Sequence, residues 1–387
     1  MRNQTFLLRN LLVYVACILT FGASAQTQID YKNLARQIFS GEQDQFHVQG
    51  IAFDPVSKNL YLSFTTSLVK VDQQGNLIGS VINLTGHLGC MSYNPDDGRI
   101  YASLEYKHDV IGKGIMSGTN SVNSMEDAFY IAIFDGSKIT RPNMDASEVM
   151  TSVYIKEAVD DYNAIVTNQG NQVEHRHGCS GIDGVAIGPK LGKSDGKKQI
   201  YIAYGVYGDK TRNDNNYQVI LNYDIRKCKR YERTLNSQSL HHSGPKKADH
   251  KFFAWTGNTE WGIQNLAYDP NLHCLMAAVY RGKREGWENY DLYAIDTRQK
   301  PKKQTLNGIE PTMKGKVLPL LEQGYHDIQH NTWGLHFPWG STGLNPLGNG
   351  YYYISKNARN KETKRQSSTV CLFRWTGDKE TPFEEVK

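Results

Sequence analysis

The 387-residue chain carries 44 Lys+Arg against 39 Asp+Glu, a formal net charge of +5, with 39% hydrophobic and 21% charged residues. That composition folds rather than staying disordered, and a mean hydropathy of −0.55 excludes a protein of many membrane spans. So mild a basic excess does not mark a nucleic-acid binder, and 35 Gly with 23 Tyr point to sheets rather than helix bundles.

The first 25 residues read as an address. Arg2 and Arg9 precede the apolar run from Leu11 to Phe21, and Ala23-Ser24-Ala25 follows. A positive start, a short apolar core and an A-x-A end describe a secretory signal peptide. The run is too short for a stable membrane span. Residues 1–25 are therefore expected to be removed, leaving 26–387 as one domain, secreted or periplasmic, with no membrane association. Five cysteines remain, an odd number at wide spacings and with no CxxC. Buried free thiols with at most one or two bridges are expected.

From residue 47 onward one phrase recurs. It is an alternating apolar stretch, a turn marked by proline, then an aromatic-rich strand. It reads HVQGIAFDPVSKNLYLSF at 47–64 and HLGCMSYNPDDGRIYASL at 87–104. CSGIDGVAIGP with QIYIAYG forms the third copy, WGIQNLAYDPNLHCLMAAVY at 261–280 the fourth, and WGLHFPWGSTGLNPLGNGYYYIS at 333–355 the fifth. The turn prolines Pro55, Pro95, Pro189, Pro270 and Pro346 each follow Asp, Asn or Gly. A third strand follows each pair (LVKVD, FYIAIFD, VILNYD, LYAID, VCLFRW). A fourth follows most (NLIGSVI, SVYI, KFFAWTG, KVLPLL). Each unit is a four-stranded antiparallel meander, the blade of an all-β propeller. Five blades are counted; a hidden blade within 140–180 or 225–260 would make six or seven. The last copy lacks a fourth strand, which the segment from Leu34 to Phe39 can supply, closing the ring and removing two sheet edges.

The connections on one face are long and polar, and function on a rigid scaffold concentrates in such loops. They bring Lys107, His108, Lys113, Lys210, Arg212, Arg281, Lys283, Arg284 and Arg359 toward one rim, which suits an anionic ligand. Residues at the starts of the first strands converge on the axis: His47 and Gln49, His87, then His175, Arg176, His177 and Asp183. Trp261, Gln264 and Asn265 follow from blade 4, and His330, Trp333 and His336 from blade 5. Histidines at equivalent positions fit acid–base chemistry near neutral pH. They also fit a divalent metal, calcium or zinc, with His177 and His336 as ligands. No GxSxG, Walker loop, GxGxxG or HExxH is present. Carboxylates for a glycosidase pair exist in Asp183, Glu105, Glu260 and Asp214, and Tyr106, Tyr207, Trp261, Trp287 and Trp333 can stack on sugars.

A propeller with a cationic, His- and Tyr-lined mouth resembles the β-propeller polysaccharide lyases, nearest those acting on L-rhamnose-α-1,4-glucuronate ends. The resemblance implies an essential histidine at the start of the first blade, where HVQG places His47. It also implies a uronate-containing oligo- or polysaccharide as partner. β-Elimination needs the uronate carboxylate neutralised, a base for the adjacent C–H and an acid for the leaving oxygen. Arg176 or Arg212 would neutralise, His47 or His87 would be the base and Tyr207 the acid. Gln49, Lys107, His177, Gln264, Trp261, Arg281 and Trp333 would bind the glycan. A propeller glycoside hydrolase with paired carboxylates and a non-catalytic carbohydrate-binding propeller are the alternatives. A lectin would repeat one pocket in every blade, whereas these axial residues differ from blade to blade. A monomer is expected, with no nucleic-acid partner.

Overall fold

A computed structural model describes residues 29–122, 126–193, 197–257 and 260–387. The expected signal peptide, residues 1–25, lies outside the described residues, and among these no helix is long and apolar enough to cross a membrane. Five antiparallel sheets form five blades around one axis. The innermost strands are Val48–Phe53, His87–Asn94, Cys179–Pro189, Ile263–Asp269 and Leu344–Gly348. The second strands are Leu60–Phe64, Arg99–Tyr106, Lys198–Val206, Cys274–Val279 and Tyr351–Arg359. The expected third strands lie at Ser67–Val71, Ala128–Asp135, Tyr217–Asp224, Leu292–Asp296 and Gln366–Trp375.

Local chemistry explains the meanders. At the tight turn after three of the first strands, a side-chain oxygen caps the bend. Asp54 accepts from the Val56 N–H at 2.9 Å, Asn94 from Asp96 at 3.3 Å and Asp269 from Asn271 at 2.6 Å. The second and third strands are buried on both faces, so they read as apolar runs with tyrosines among them. Tyr61, Tyr101, Tyr130, Tyr201, Tyr204, Tyr290, Tyr293, Tyr352 and Tyr353 are all fully buried. Several satisfy their hydroxyls on backbone carbonyls, as Tyr130 does on His241, Tyr201 on Pro189 and Tyr353 on Ala35.

The ring closes as expected. Gln37–Phe39 pairs antiparallel with Thr369–Cys371 on the outer edge of blade 5. Phe383–Glu385 pairs with Phe373–Trp375 on the same edge. Two expectations are corrected. KVLPLL does not form one fourth strand of blade 4. Lys316–Leu318 runs parallel to Phe252–Ala254 and extends blade 3, and only the residues after it reach blade 4, through an isolated bridge of Leu320 to Ile295. Pro319 has no N–H to donate, so the ladder breaks there and the chain crosses between blades. The fifth inner strand starts at Leu344, not near 333. Thr332–Gly334 instead forms a short hairpin with Tyr325–Asp327.

The loop after blade 2's second strand contains a helix, Val110–Thr119, whose first turn is capped by Asp109 accepting from the Gly112 N–H at 2.8 Å. All five described cysteines are buried free thiols, and no bridge joins them. Ile38 is 1% exposed in the core under blades 1 and 5. Ile38→Ala should therefore cost about 2–4 kcal/mol, and deletion of residues 26–40 should abolish a single cooperative unfolding transition. Urea titration followed by tryptophan fluorescence reads both; an unchanged midpoint in the deletion variant contradicts closure by this strand.

Candidate active site at the propeller axis

Four inner strands share a departure from regular pairing near the mouth. Register shifts fall between Val48 and Gly50, Leu88 and Met91, Ile182 and Val185, and Ile263 and Asn265. A bulge inserts an unpaired residue and re-aims its side chain. Here the inserted residues include Gln49, Asp183 and Gln264. Around the same level the blades are tied to one another. Asn265 donates to the carbonyls of Gln49 and Ser341, at 2.9 and 2.7 Å. Ser63 donates to Gly89 and Ser103 to Asp183, each at 2.7 Å.

Inside this belt lies a compact charged cluster. Glu105, the penultimate residue of blade 2's second strand, has a side chain 1% exposed. Lys107 Nζ sits 2.9 Å from its Oε2, and His87 Nδ1 3.3 Å from the same oxygen. The Ile182 N–H donates to Oε1. Burial alone would raise the Glu105 pKa, but Lys107 and His87 hold it below the ordinary carboxyl value. Lys107 also donates to the Ser180 carbonyl at 2.8 Å, and it lies 3.8 Å from Asp109. Despite burial, the charges of Glu105, Asp183 and Asp109 raise its pKa. The ion pair is thus fully formed and saturated with donors.

Asp183 is the odd member. It is half-buried, with Gln264 Nε2 donating to Oδ2 at 3.2 Å. A side chain at Gly205 would bring its Cβ within 2.6 Å of that oxygen, so the bare glycine makes room for the carboxyl. Burial first, then the charge of Glu105, pushes its pKa up to about 6. Two neighbouring carboxyls therefore differ in character: Glu105 is ionised and enclosed, whereas Asp183 holds its proton up to about pH 6.

Across the mouth, His47 Nε2 is approached by Gln49 Nε2 at 3.3 Å and by the Tyr280 hydroxyl at 3.5 Å. Both neighbours can donate, which assigns Nε2 as the bare nitrogen and places the proton on Nδ1. Burial, then the proximity of His87, lowers the His47 pKa and favours the neutral ring. Tyr280 is pushed up to about 12 by burial and the charge of Asp183. Trp261, 42% exposed, sets its ring edge-to-face with Tyr280 at 5.5 Å.

Of the residues singled out in the sequence, His47, Gln49, His87, Glu105, Lys107, Asp183, Trp261, Gln264 and Asn265 come together here, though Lys107 is buried in its ion pair rather than on the rim. The others lie elsewhere. Arg212 is committed to Asp214 through Nε and Nη2, at 2.8 and 2.9 Å, and to the Glu174 and His175 carbonyls. It pins the turn before blade 3 and has no free fork for a substrate. Arg176 binds Asp161 at 2.9 Å. His177, at a left-handed φ of 60°, turns against Phe253 and a side cleft, where burial lowers its pKa to about 4. Tyr207 donates to Asp109 at 2.6 Å. Trp333 stacks on His326 in the hairpin before blade 5. His336 packs between Tyr290 and Tyr325, and Arg281 is exposed. Tyr280 escaped the sequence reading, although the repeat places it at the level of Tyr207, one residue past each second strand.

His177 lies against Phe253 and His336 between Tyr290 and Tyr325, and neither belongs to a cluster of ligating side chains among the described residues. Among the described residues, His87, Glu105 and Asp183 alone have three donor atoms close enough to hold an ion, within 4.8 Å of one another. They do not fit a dication, because the Lys107 ammonium already occupies the cationic position beside Glu105 and both Glu105 oxygens have donors.

Removing Lys107 would leave Glu105 buried without its counter-charge, so Lys107→Met should lose about 3–5 kcal/mol of stability. Adding Glu105→Gln should restore much of that loss. Denaturant unfolding of both variants tests the pair; a single Lys107→Met change within 1 kcal/mol of the wild type contradicts it.

No family model matches the sequence, and no curated protein does. Among solved structures, a chain of a mitotic checkpoint complex aligns at 11% identity over 97% of this chain and 98% of its own, with a TM-score of 0.31. The Cps50 (Swd1) β-propeller domain of Myceliophteria thermophila aligns at 12% identity over 83% and 82%, TM-score 0.30. A gluconolactonase from Xanthomonas campestris aligns at 9% identity over 86% and 87%, also with a TM-score of 0.30. The five-blade architecture rests on the strand pairing of the chain itself.

Proposed function

We propose that this protein is an exported carbohydrate-active enzyme that cleaves a uronate-containing glycan by β-elimination at the propeller axis. The observation that carries the reading is the His47–Tyr280 pair: a neutral imidazole with its bare nitrogen 3.5 Å from a protonated phenol, at the mouth of a single asymmetric site. His47 takes the proton from C5 of the uronate through Nε2. The electron pair of that C–H bond forms the C4=C5 double bond, the bond from C4 to its glycosidic oxygen breaks, and Tyr280 gives its hydroxyl proton to that oxygen. The resulting imidazolium and phenolate are neighbours, so one proton transfer between them restores the starting state. Trp261 offers an aromatic face beside the pair for the sugar ring.

The hydrolase alternative needs two carboxyl groups that both reach the substrate. Glu105 is enclosed and saturated, which leaves Asp183 without a working partner and favours elimination. The lectin alternative requires equivalent pockets, whereas the charged cluster here is built by blades 2 and 3 alone.

Incubation with acidic polysaccharides, followed at the absorbance of unsaturated uronates, tests the activity. A general acid or base contributes about 10²–10⁴-fold. His47→Gln and Tyr280→Phe should therefore each lower turnover at least about a hundredfold, with melting temperatures within a few degrees of the wild type. Near-normal turnover in both variants rejects the pair as the acid–base machinery.

A further inference from the structure

Elimination from a uronate requires its carboxylate to be neutralised, and the arginines expected to do so do not stand at the axis. Arg212 is fully engaged by Asp214 and two carbonyls, and Arg176 is held by Asp161. Lys107 is enclosed against Glu105. An anion approaching the axis meets Asp183 instead. Its Oδ2 is fixed by Gln264, and no hydrogen bond reaches Oδ1 among the described residues.

We infer that Asp183 is a binding and catalytic residue that receives the substrate carboxylate as a carboxylic acid, donating a short hydrogen bond from its own O–H so that the two carboxyl groups share one proton and the uronate's charge is partly offset. The inference rests on the proposed uronate chemistry and adds the group that reaction otherwise lacks. Three structural features support it. The bulge between Ile182 and Val185 re-aims residue 183 into the axis. The bare Gly205 backbone seats its carboxyl. The enclosed negative charge of Glu105 nearby opposes a second charge, which is how two close carboxyls come to share one proton.

The surroundings of Asp183 decide its protonation. Glu105 faces it from the second strand of blade 2 and Lys107 from just beyond that strand, and His87 and Cys90 face it from the first. Tyr280 faces it from the end of blade 4's second strand, and Gln264 from the first. His87, Lys107 and Gln264 favour the ionised form, but burial and Glu105 outweigh them. The acid form therefore persists to about pH 6 in the free protein, and a bound carboxylate would extend it further.

The test is calorimetric binding of sodium glucuronate to the full chain, in buffers of differing ionisation enthalpy, with methyl glucoside as the uncharged control. Between pH 5 and pH 8 the wild type should lose about a hundredfold in glucuronate affinity. At pH 8 it should take up about one proton per ligand bound. Asp183→Asn keeps an N–H donor without titrating, so it should bind glucuronate with little pH dependence and no proton uptake. His47→Gln should retain both effects, which separates Asp183 from the nearby imidazole. Proton uptake persisting in Asp183→Asn, pH-independent binding by the wild type, or no glucuronate binding at any pH overturns the inference. Proton-coupled binding without unsaturated products from any acidic glycan upholds the role of Asp183 and rejects the elimination reaction instead.

Discussion

The ring is closed because its last blade is completed by residues from the other end of the chain. Each blade is an open antiparallel sheet whose edges would otherwise invite pairing with other molecules. Here three residues, Gln37–Phe39, supply that completion, with Ile38 driven into the core shared by blades 1 and 5. Every residue at the axis owes its position to that seam, because the inner strands converge only in a closed ring. The belt formed by Asn265, Ser63 and Ser103 then fixes neighbouring blades to one another where the site is built. The same economy appears at the outer edges of blades 1 and 3. Short parallel segments, Met144–Asp145 and Lys316–Leu318, cover what a four-stranded meander leaves exposed.

The axis divides its charge by environment. Glu105 and Lys107 neutralise each other as a buried ion pair, and they act as a fixed dipole rather than as reagents. Beside them, burial favours the neutral forms of His47 and Tyr280, and burial beside a like charge raises the pKa of Asp183 to about 6. Neutral groups poised next to a fixed charge can exchange protons without reorganising solvent, which is the condition acid–base catalysis needs.

The blade rhythm was legible because a propeller repeats its pattern: the capped turns after Asp54, Asn94 and Asp269 and the paired aromatic strands recur in sequence. The closing strand was legible from a deficit, the fourth strand missing from the last copy. What escaped were departures from the repeat. Pro319 splits a segment that periodicity reads as one strand, and the hairpin around Trp333 displaces the fifth inner strand, carrying His330 and His336 off the axis. Likewise, His177 precedes its inner strand as His47 does, but its left-handed backbone sets the ring against Phe253. Composition placed many cations on one rim; it could not show that Lys107 and Arg212 are each consumed by an acidic neighbour. Tyr280 and Tyr207 are equivalent in the repeat, and only packing distinguishes the one beside His47 from the one beside Asp109.

The two pairings on the outer edge of blade 5 meet in its middle. Gln37 opposes Cys371 and Glu385 opposes Phe373, and the Gln37 amide donates to the Glu385 carboxylate at 3.2 Å. The two segments therefore lie side by side on the outer flank, while the chain ahead of Gln37 continues to the end of blade 5's inner strand, where the Tyr31 hydroxyl donates to the Leu347 carbonyl at 3.1 Å. Anything tethered beyond Glu385, whether a surface, an affinity handle or a fused partner, would hang from the side of the disc and leave the mouth open to a long polymer.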